Sequence, residues 1–435
     1  MPNIGENFPQ SRVARKEKLI EILKNSPIGS IKIPGKGRKS VYRIPLNYLS
    51  YNPHNTRFLA QAKTLEKRLG KKLSDEIPAD IEKIEEYLWN QKINENEYTI
   101  NSLIEDGQLQ PGVVTLDGII LSGNRRFRLL NEISRNNDKY NKPGVSLEGL
   151  DYFEAAILEN ELNEKEIVKF ESFYQYGTED KVEYDPIQKY IAAADQRNLG
   201  YTEQQIADHF MSITRGKAKE VKLWLEVFDL MEEYLDYIGE EGIYTALESS
   251  EEAFLRLRSD LRSFTSGRAG GKIWPYNDFD LQNLKFRYFD YIRINVPTHD
   301  VRIFKKIFLD EQRWKKFNGE VNEVVEKNDV DTFENYRKNY ENEQEDEVSK
   351  IRNHDFKDKA EKALKQIYGS EHQRIIAEET HETPIRIIEQ IQQKLEKIES
   401  AISGNQNEDG FKTGEFLNAV IDIQKRIGRI KQDID

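Results

Sequence analysis

Residues 113–130 constrain the fold more than any other stretch of this chain. Val113-Val114-Thr115-Leu116 and Ile119-Ile120-Leu121 are short β-branched and aliphatic runs separated by Asp117-Gly118. That dipeptide predicts a two-residue type I′ turn and hence a tight hairpin. The second strand runs into Ser122-Gly123-Asn124-Arg125-Arg126, after which Phe127, Leu129, Leu130 and Ile133 recur at helical spacing. A glycine between strand and helix lets backbone N–H groups approach an anion, and the helix start adds partial positive charge. Arg125 and Arg126 fall in that first turn, where the helix dipole disfavours cations. A bound anion resolves the conflict, so the stretch reads as a phosphate site. The competing reading is an ordinary surface helix with two solvated arginines.

Two blocks upstream favour the phosphate. Residues 44–57 read Ile-Pro-Leu-Asn-Tyr-Leu-Ser-Tyr-Asn-Pro-His-Asn-Thr-Arg, and residues 103–111 read Leu-Ile-Glu-Asp-Gly-Gln-Leu-Gln-Pro. Taken with Gly123-Asn124-Arg125-Arg126, and in this order, they resemble the N-terminal domain of the ParB/sulfiredoxin superfamily. The resemblance implies one pocket lined by residues 52–57, 107–111 and 123–126. Its nucleotide-binding residues would be Asn55, Arg57, Gly107, Gln110, Ser122, Gly123, Asn124, Arg125 and Arg126, and its ligand a nucleoside triphosphate, CTP or ATP. Asn124 stands where partitioning ParB proteins usually carry glutamate, which sets hydrolysis apart from binding. Farther on, a strand-like segment at 151–158 leads into Glu159-Asn160. In ParB-like proteins a Glu-Asn pair here helps hold Mg²⁺ against the triphosphate, a role that suits hard oxygen ligands. Asn163 replaces the arginine that usually follows, and a solvated helix start is the alternative.

Composition narrows the remaining classes. The chain has 435 residues, no cysteine and six scattered histidines, which excludes disulfides and thiolate metal sites and offers no zinc spacing. No apolar run is long enough to span a membrane and the N-terminus lacks a secretory h-region, so a cytoplasmic protein is expected. The formal net charge of −12 argues against nonspecific wrapping of nucleic acid. Residues 12–39 depart from it, with nine basic side chains against Glu17 and Glu21. They read as a basic arm carrying one short helix over residues 13–24, with Leu19, Ile20 and Leu23 on one face, and with 34–39 either a solvated flexible loop or a phosphate-contacting segment.

Downstream, residues 161–183 are acidic and read as an insertion. Pro186 opens a helix near its first turn, and Thr202 with Gln205 forms a capping box. A second helix is expected from about residue 214, carrying Ala218, Val221, Trp224 and Leu225. Helix, short turn, helix is a helix-turn-helix signal, although the usual turn glycine is not evident. Arg215, Lys217, Lys219 and Lys222 cluster on the second helix as DNA-backbone contacts; the competing reading is a structural helix pair with a solvated basic face. The order of these parts again resembles ParB, over roughly residues 41–232.

Past residue 235 that resemblance ends. Residues 254–264 read as helix, 266–272 as a mobile basic loop that fails the Walker A pattern, and the aromatic-rich 274–289 as core. Ile388, Ile391, Leu395, Ile398 and Ile402, then Phe416, Val420, Ile423, Ile427, Ile430 and Ile434, form two seams spaced by three or four residues. Such seams favour coiled-coil pairing, within one chain or, preferred here, in a homodimer.

The expected fold is α+β: a small ParB/sulfiredoxin-like mixed domain, a mostly α-helical helix-turn-helix domain and a helical C-terminal region. The divisions are 1–40 basic N-terminal arm, 41–160 nucleotide-binding domain, 161–235 helix-turn-helix domain, 236–330 helical domain, 331–350 acidic linker and 351–435 dimerisation region. The expected function is DNA binding controlled by a nucleoside triphosphate with Mg. The alternative is an enzyme of the same superfamily, a slow CTPase or ATPase or, less favoured, a nuclease of a defence or mobile-element system.

Overall fold

The computed structural model describes residues 8–141, 143, 146–176, 186–247, 249–267, 274–296, 303–341, 343–405 and 413–434. It is α+β, built on one six-stranded mixed sheet. The strands are β1 (Gly29–Ile33), β2 (Gly37–Pro45), β3 (Ser50–Tyr51), β4 (Gly112–Thr115), β5 (Ile119–Ser122) and β6 (Tyr152–Leu158), in the spatial order β1-β2-β6-β4-β5-β3. β6 runs parallel to β4 and β3 parallel to β5; the other neighbours are antiparallel.

The central strands are buried on both faces, which is why they read as unbroken apolar runs. Period-two alternation splits them. Val114, Ile120, Ala155 and Ile157 join one core with Leu19, Ile44, Phe127 and Phe153. Val113, Ile119, Leu121, Ala156 and Leu158 join the other with Ile33, Ile167 and Phe170. The first face carries α1 (Arg12–Ile22), α2 (Leu59–Leu69), α3 (Pro78–Asn90), α4 (Ile93–Asp106), α5 (Asn124–Arg135) and the short α6 (Asn137–Tyr140). The second face is covered by α7 (Glu164–Tyr176). Ile81, Ile84 and Leu88, spaced to share one face of α3, are buried.

Several expectations need correction. The β4–β5 connection is not a type I′ turn: the Gly118 N–H donates to the Thr115 carbonyl (3.1 Å) across Leu116-Asp117, and only Gly118 is left-handed, at φ +81°. Gly118 therefore extends the loop by one residue, and the β4–β5 register shifts between Val113 and Val114. The expected short helix over residues 13–24 is present as α1, and residues 12–39 as a whole pack into the domain rather than standing as an arm. They form α1 and the β1–β2 hairpin, whose turn the Lys36 N–H closes onto the Ile33 carbonyl (3.0 Å). Nor is 161–176 an insertion, because α7 closes one face of the sheet; residues 177–185 lie outside the described residues.

The helices continue with α8 (Pro186–Asn198), α9 (Glu203–His209), α10 (Met211–Thr214), α11 (Ala218–Tyr237), α12 (Glu251–Thr265), α13 (Asp278–Arg293), α14 (Phe304–Leu309), α15 (Glu311–Lys327), α16 (Phe333–Asn339), α17 (Glu345–Asn405) and α18 (Thr413–Ile434). The aromatic stretch is core in its second half, with Tyr288 and Phe289 buried, while Phe279 is exposed. The expected basic loop falls mostly on residues 268–273, outside the described residues. The acidic 331–350 stretch is not a linker. Glu345 is buried there and accepts hydrogen bonds from Arg68 and Arg337 (3.0 Å each), and Val348 is fully buried.

Two compact units divide the chain, Met1–Lys365 and Gln366–Asp435. In the second, Ile388, Ile391, Leu395 and Ile398 of α17 and Ile423 and Ile427 of α18 are exposed. The Ile402, Phe416, Ile430 and Ile434 side chains lie outside the described residues.

Candidate functional site

Gly123 follows β5 at φ +100° and caps α5, with no side chain of its own to occupy the free N–H groups of the first turn. The position admits no side chain, since a Cβ there would lie 2.8 Å from both Arg126 Nη2 and Phe153 Cζ. Asn124 is buried and works structurally. Its Oδ1 accepts from the Asn52 N–H (3.1 Å) and its Nδ2 donates to the Ile120 carbonyl (2.9 Å). That side chain ties the first sequence block to the third.

The two arginines differ from the others of α5. Arg128 pairs with Glu132 at 3.0 Å and Arg135 with Glu85 at 2.6 Å. Among the described residues Arg125 donates to a neutral acceptor, Asn96 Oδ1 (3.0 Å), and Arg126 donates to the Gln110 carbonyl and lies over the Phe153 ring, 5.2 Å from its centroid. The Nε of each, like that of Arg128, is buried with no partner among the described residues. Burial lowers the pKa of both. For Arg125 the nearby Arg57 charge adds to it against Glu95; Arg126 is pushed down to about 10 although Tyr174 and Glu154 oppose. A half-buried and a largely buried guanidinium, neither with a carboxylate partner among the described residues and both beside a glycine-started helix, are a pair whose charge an anion would neutralise.

The second block frames this site. Gly107 caps α4 with its N–H on the Leu103 carbonyl (3.1 Å), and Gln110 is exposed, presenting its carbonyl to Arg126. Ser122 is the last residue of β5, opposite Val113. In the first block, Asn55 is buried and accepts from the Arg57 N–H (2.9 Å), and the Arg57 carbonyl accepts from Gln91 Nε2 (2.8 Å). The structure thus gathers residues 52–57, Gln110 and 123–126 around one end of the sheet.

Glu159 and Asn160 are not there, which corrects the metal assignment. Gly112 pairs with Ala155 and Thr115 with Leu158, so the end of β6 lies beside the hairpin tip. Counting four residues along β6 and two strands across puts Glu159 roughly 16 Å from Gly123. Glu159 is exposed and lies 3.8 Å from Lys39. Among the described residues no group of three or more histidine or carboxylate side chains is placed to hold a metal ion. Among the carboxylates that reach the first block, Glu171 of α7 is fully buried and accepts from Asn52 Nδ2 and the Thr56 N–H (3.3 Å each), while Glu164 lies 3.8 Å from His54. The signal for it lay within 161–183, where Ile167, Phe170 and Tyr174 recur at helical spacing and put Glu171 on a helix with a buried side.

The second candidate surface is the helix pair. The Thr202–Gln205 capping box starts α9. α9 and α8 pack on α11 through Val221, Trp224 and Leu225, with Phe210 edge-on to Trp224 at 5.4 Å. The expected helix start near residue 214 is corrected to Ala218. Between them lies α10, closed by the buried Thr214 hydroxyl on the Ala207 carbonyl (2.6 Å), then left-handed Arg215 and Gly216. The turn glycine is therefore Gly216, placed later than expected. Arg215 sits in the turn, Lys217 caps α11, and Lys219 and Lys222 share one face of its first turns. All four are exposed.

No protein-family model, curated protein or solved structure matches the chain. No described helix is long and apolar enough to cross a membrane.

Proposed function

We propose that this chain is a cytoplasmic, ParB-like DNA-binding protein whose sheet domain binds a nucleoside triphosphate, CTP or ATP, and whose α8–α11 helices engage duplex DNA. The observation that carries the proposal is the desolvated Arg125–Arg126 pair at the Gly123 junction, which lacks a carboxylate partner among the described residues. In this reading Arg125 and Arg126 bind phosphate oxygens and Gly123 admits the phosphate closely. Asn124 and Glu171 position the Asn52 block against it. Mg²⁺ would accompany the triphosphate, and no ligand role is assigned to Glu159 or Asn160. Exposed Arg215, Lys217, Lys219 and Lys222 neutralise DNA phosphates. The exposed seams of α17 and α18 support a homodimer.

Nucleotide binding shifts the arrangement of the helices only through a difference in affinity between two arrangements. DNA affinity should therefore change with nucleotide in the wild type and not in the Arg125→Ala/Arg126→Ala variant. Fluorescence anisotropy of labelled duplexes over a salt series reads this directly. Changing Lys217, Lys219 and Lys222 together to alanine should weaken binding to every sequence and lower the salt slope by about one unit per lost contact. Unchanged duplex binding in that triple variant would remove the helix pair from the proposal.

A further inference from the structure

The β1–β2 hairpin carries a charge pattern that its own fold does not balance. Strand register sets Lys32 directly opposite Arg38 and Ser30 directly opposite Ser40. Alternation puts these four on one face, because the intervening Ile31 and Ile33 pack into the core under α7. All four are exposed. Directly opposed side chains stand roughly 5 Å apart at Cβ, and like charges in that position destabilise the pair. Arg38 Nη1 donates to Ser30 Oγ (3.1 Å), which positions the guanidinium without neutralising it. Among the described residues no carboxylate lies within ion-pair distance of Lys32, Arg38 or the exposed turn residue Lys36. The hairpin's other cations differ, since Lys39 lies 3.8 Å from Glu159 and Arg43 3.2 Å from Glu154. Nor does α1 supply the missing charge: Glu21 pairs with Lys18 (2.9 Å), and Glu17 makes no ion pair with the hairpin.

A lysine on an edge strand guards against stray strand pairing, and β1 is an edge of the sheet. That accounts for Lys32 alone. It does not call for a second cation opposite it on β2, nor for a third in the turn. An anion laid across the two strands removes the repulsion, and the Ser30 and Ser40 hydroxyls can donate to the same oxygens. The face is open sheet surface rather than a concave pocket, so the fitting anion is a polymer of repeated charges, not a small molecule. Duplex DNA offers such a row of phosphates, and a two-stranded ribbon is narrow enough to enter its major groove. The group has no exposed aromatic ring for a single strand to stack on; Tyr42, next along the face, packs against the other core. We propose that the β1–β2 hairpin is a DNA-backbone contact separate from the α8–α11 helices, in which Lys32, Lys36 and Arg38 meet phosphates of a duplex. It shares a partner with the helix pair but none of its residues, so the two stand or fall separately.

The test is fluorescence anisotropy of a labelled duplex over a salt series, on full chains. Wild type is set beside Lys32→Gln/Lys36→Gln/Arg38→Gln, Lys217→Ala/Lys219→Ala/Lys222→Ala and the combination of all six. Each phosphate contact contributes about 0.9 to the slope of log affinity against log salt, so the hairpin variant should lose about two to three units. The same loss should appear on top of the helix variant, which keeps the two surfaces distinguishable. Lys39→Gln, whose ammonium already faces Glu159, should lose none. Removing opposed like charges should leave Tm unchanged or higher, so weaker binding does not come from unfolding. Should the triple variant lose stability, Lys36→Gln alone carries the test, with a loss of about one unit. Absence of duplex binding by the wild type, an unchanged salt slope in the hairpin variant, or a comparable loss per residue in Lys39→Gln overturns the proposal. So does a loss confined to phosphatidylserine vesicles while duplex binding stays intact.

Discussion

Asp75→Ala is expected to lower folding stability by about 3–5 kcal/mol, the range for leaving a buried charge without its partner. Asp75 is almost fully buried and pairs with both Arg12 and Arg15, and Arg15 is itself fully buried. Arg15 also donates to the Asp117 carbonyl (2.8 Å), so the cluster fastens α1 to the tip of the β4–β5 hairpin. The Ser50 hydroxyl joins through the Asp75 carbonyl (2.8 Å). Removing the carboxylate strands the Arg15 guanidinium inside. The double variant Asp75→Leu/Arg15→Met should recover much of the loss, because it removes both charges together. Burial alone would raise the Asp75 carboxyl, yet Arg12 and Arg15 hold it below its ordinary value. Its stabilisation is therefore complete above the unfolded carboxylate pKa, about 3.9, and is lost as pH falls through the lower folded value. Urea melts at neutral and acid pH should show a steeper acid loss in the wild type than in Asp75→Ala. A variant within about 1 kcal/mol of wild type at neutral pH would remove the cluster's structural role.

Arg125→Ala and Arg126→Ala should have the opposite profile. Each removes a charge-assisted contact to phosphate, about 1.5–3 kcal/mol, and so should weaken triphosphate binding more than tenfold. Folding stability should hold or rise, since both guanidinium groups are desolvated and neither faces a carboxylate partner among the described residues. Arg126→Met tests this cleanly, because it can retain apolar contact with Phe153 while losing the charge. A marked fall in Tm with unchanged ligand binding would make both arginines structural.

Legibility in the sequence followed the strength of local signals. The strand–glycine–helix junction at 119–126 was readable because period-two and helical spacing meet at Gly123, and the α9 capping box because its two bonds are local. Segments whose roles depend on distant partners were misread. The basic run 12–39 reads as a free arm until Asp75 and Glu159 are placed against it. The acidic run 161–176 reads as an insertion unless the apolar side of α7 is weighted above its charge. Motif order put Glu159-Asn160 at the pocket, whereas strand register decides which end of a sheet a residue occupies, and register is set by pairing rather than by sequence distance. Asn124 was read as a ligand contact; its amide is engaged by Asn52 and Ile120, which no spacing rule would reveal.

The most direct test of the phosphate site is calorimetric titration of the full chain with CTP, ATP, GTP and inorganic triphosphate, each with Mg²⁺. Saturable binding of at least one nucleoside triphosphate is expected, with competition by inorganic triphosphate and loss in Arg125→Ala/Arg126→Ala that remains folded. Absence of binding by every triphosphate, or wild-type affinity in the folded double variant, would contradict it.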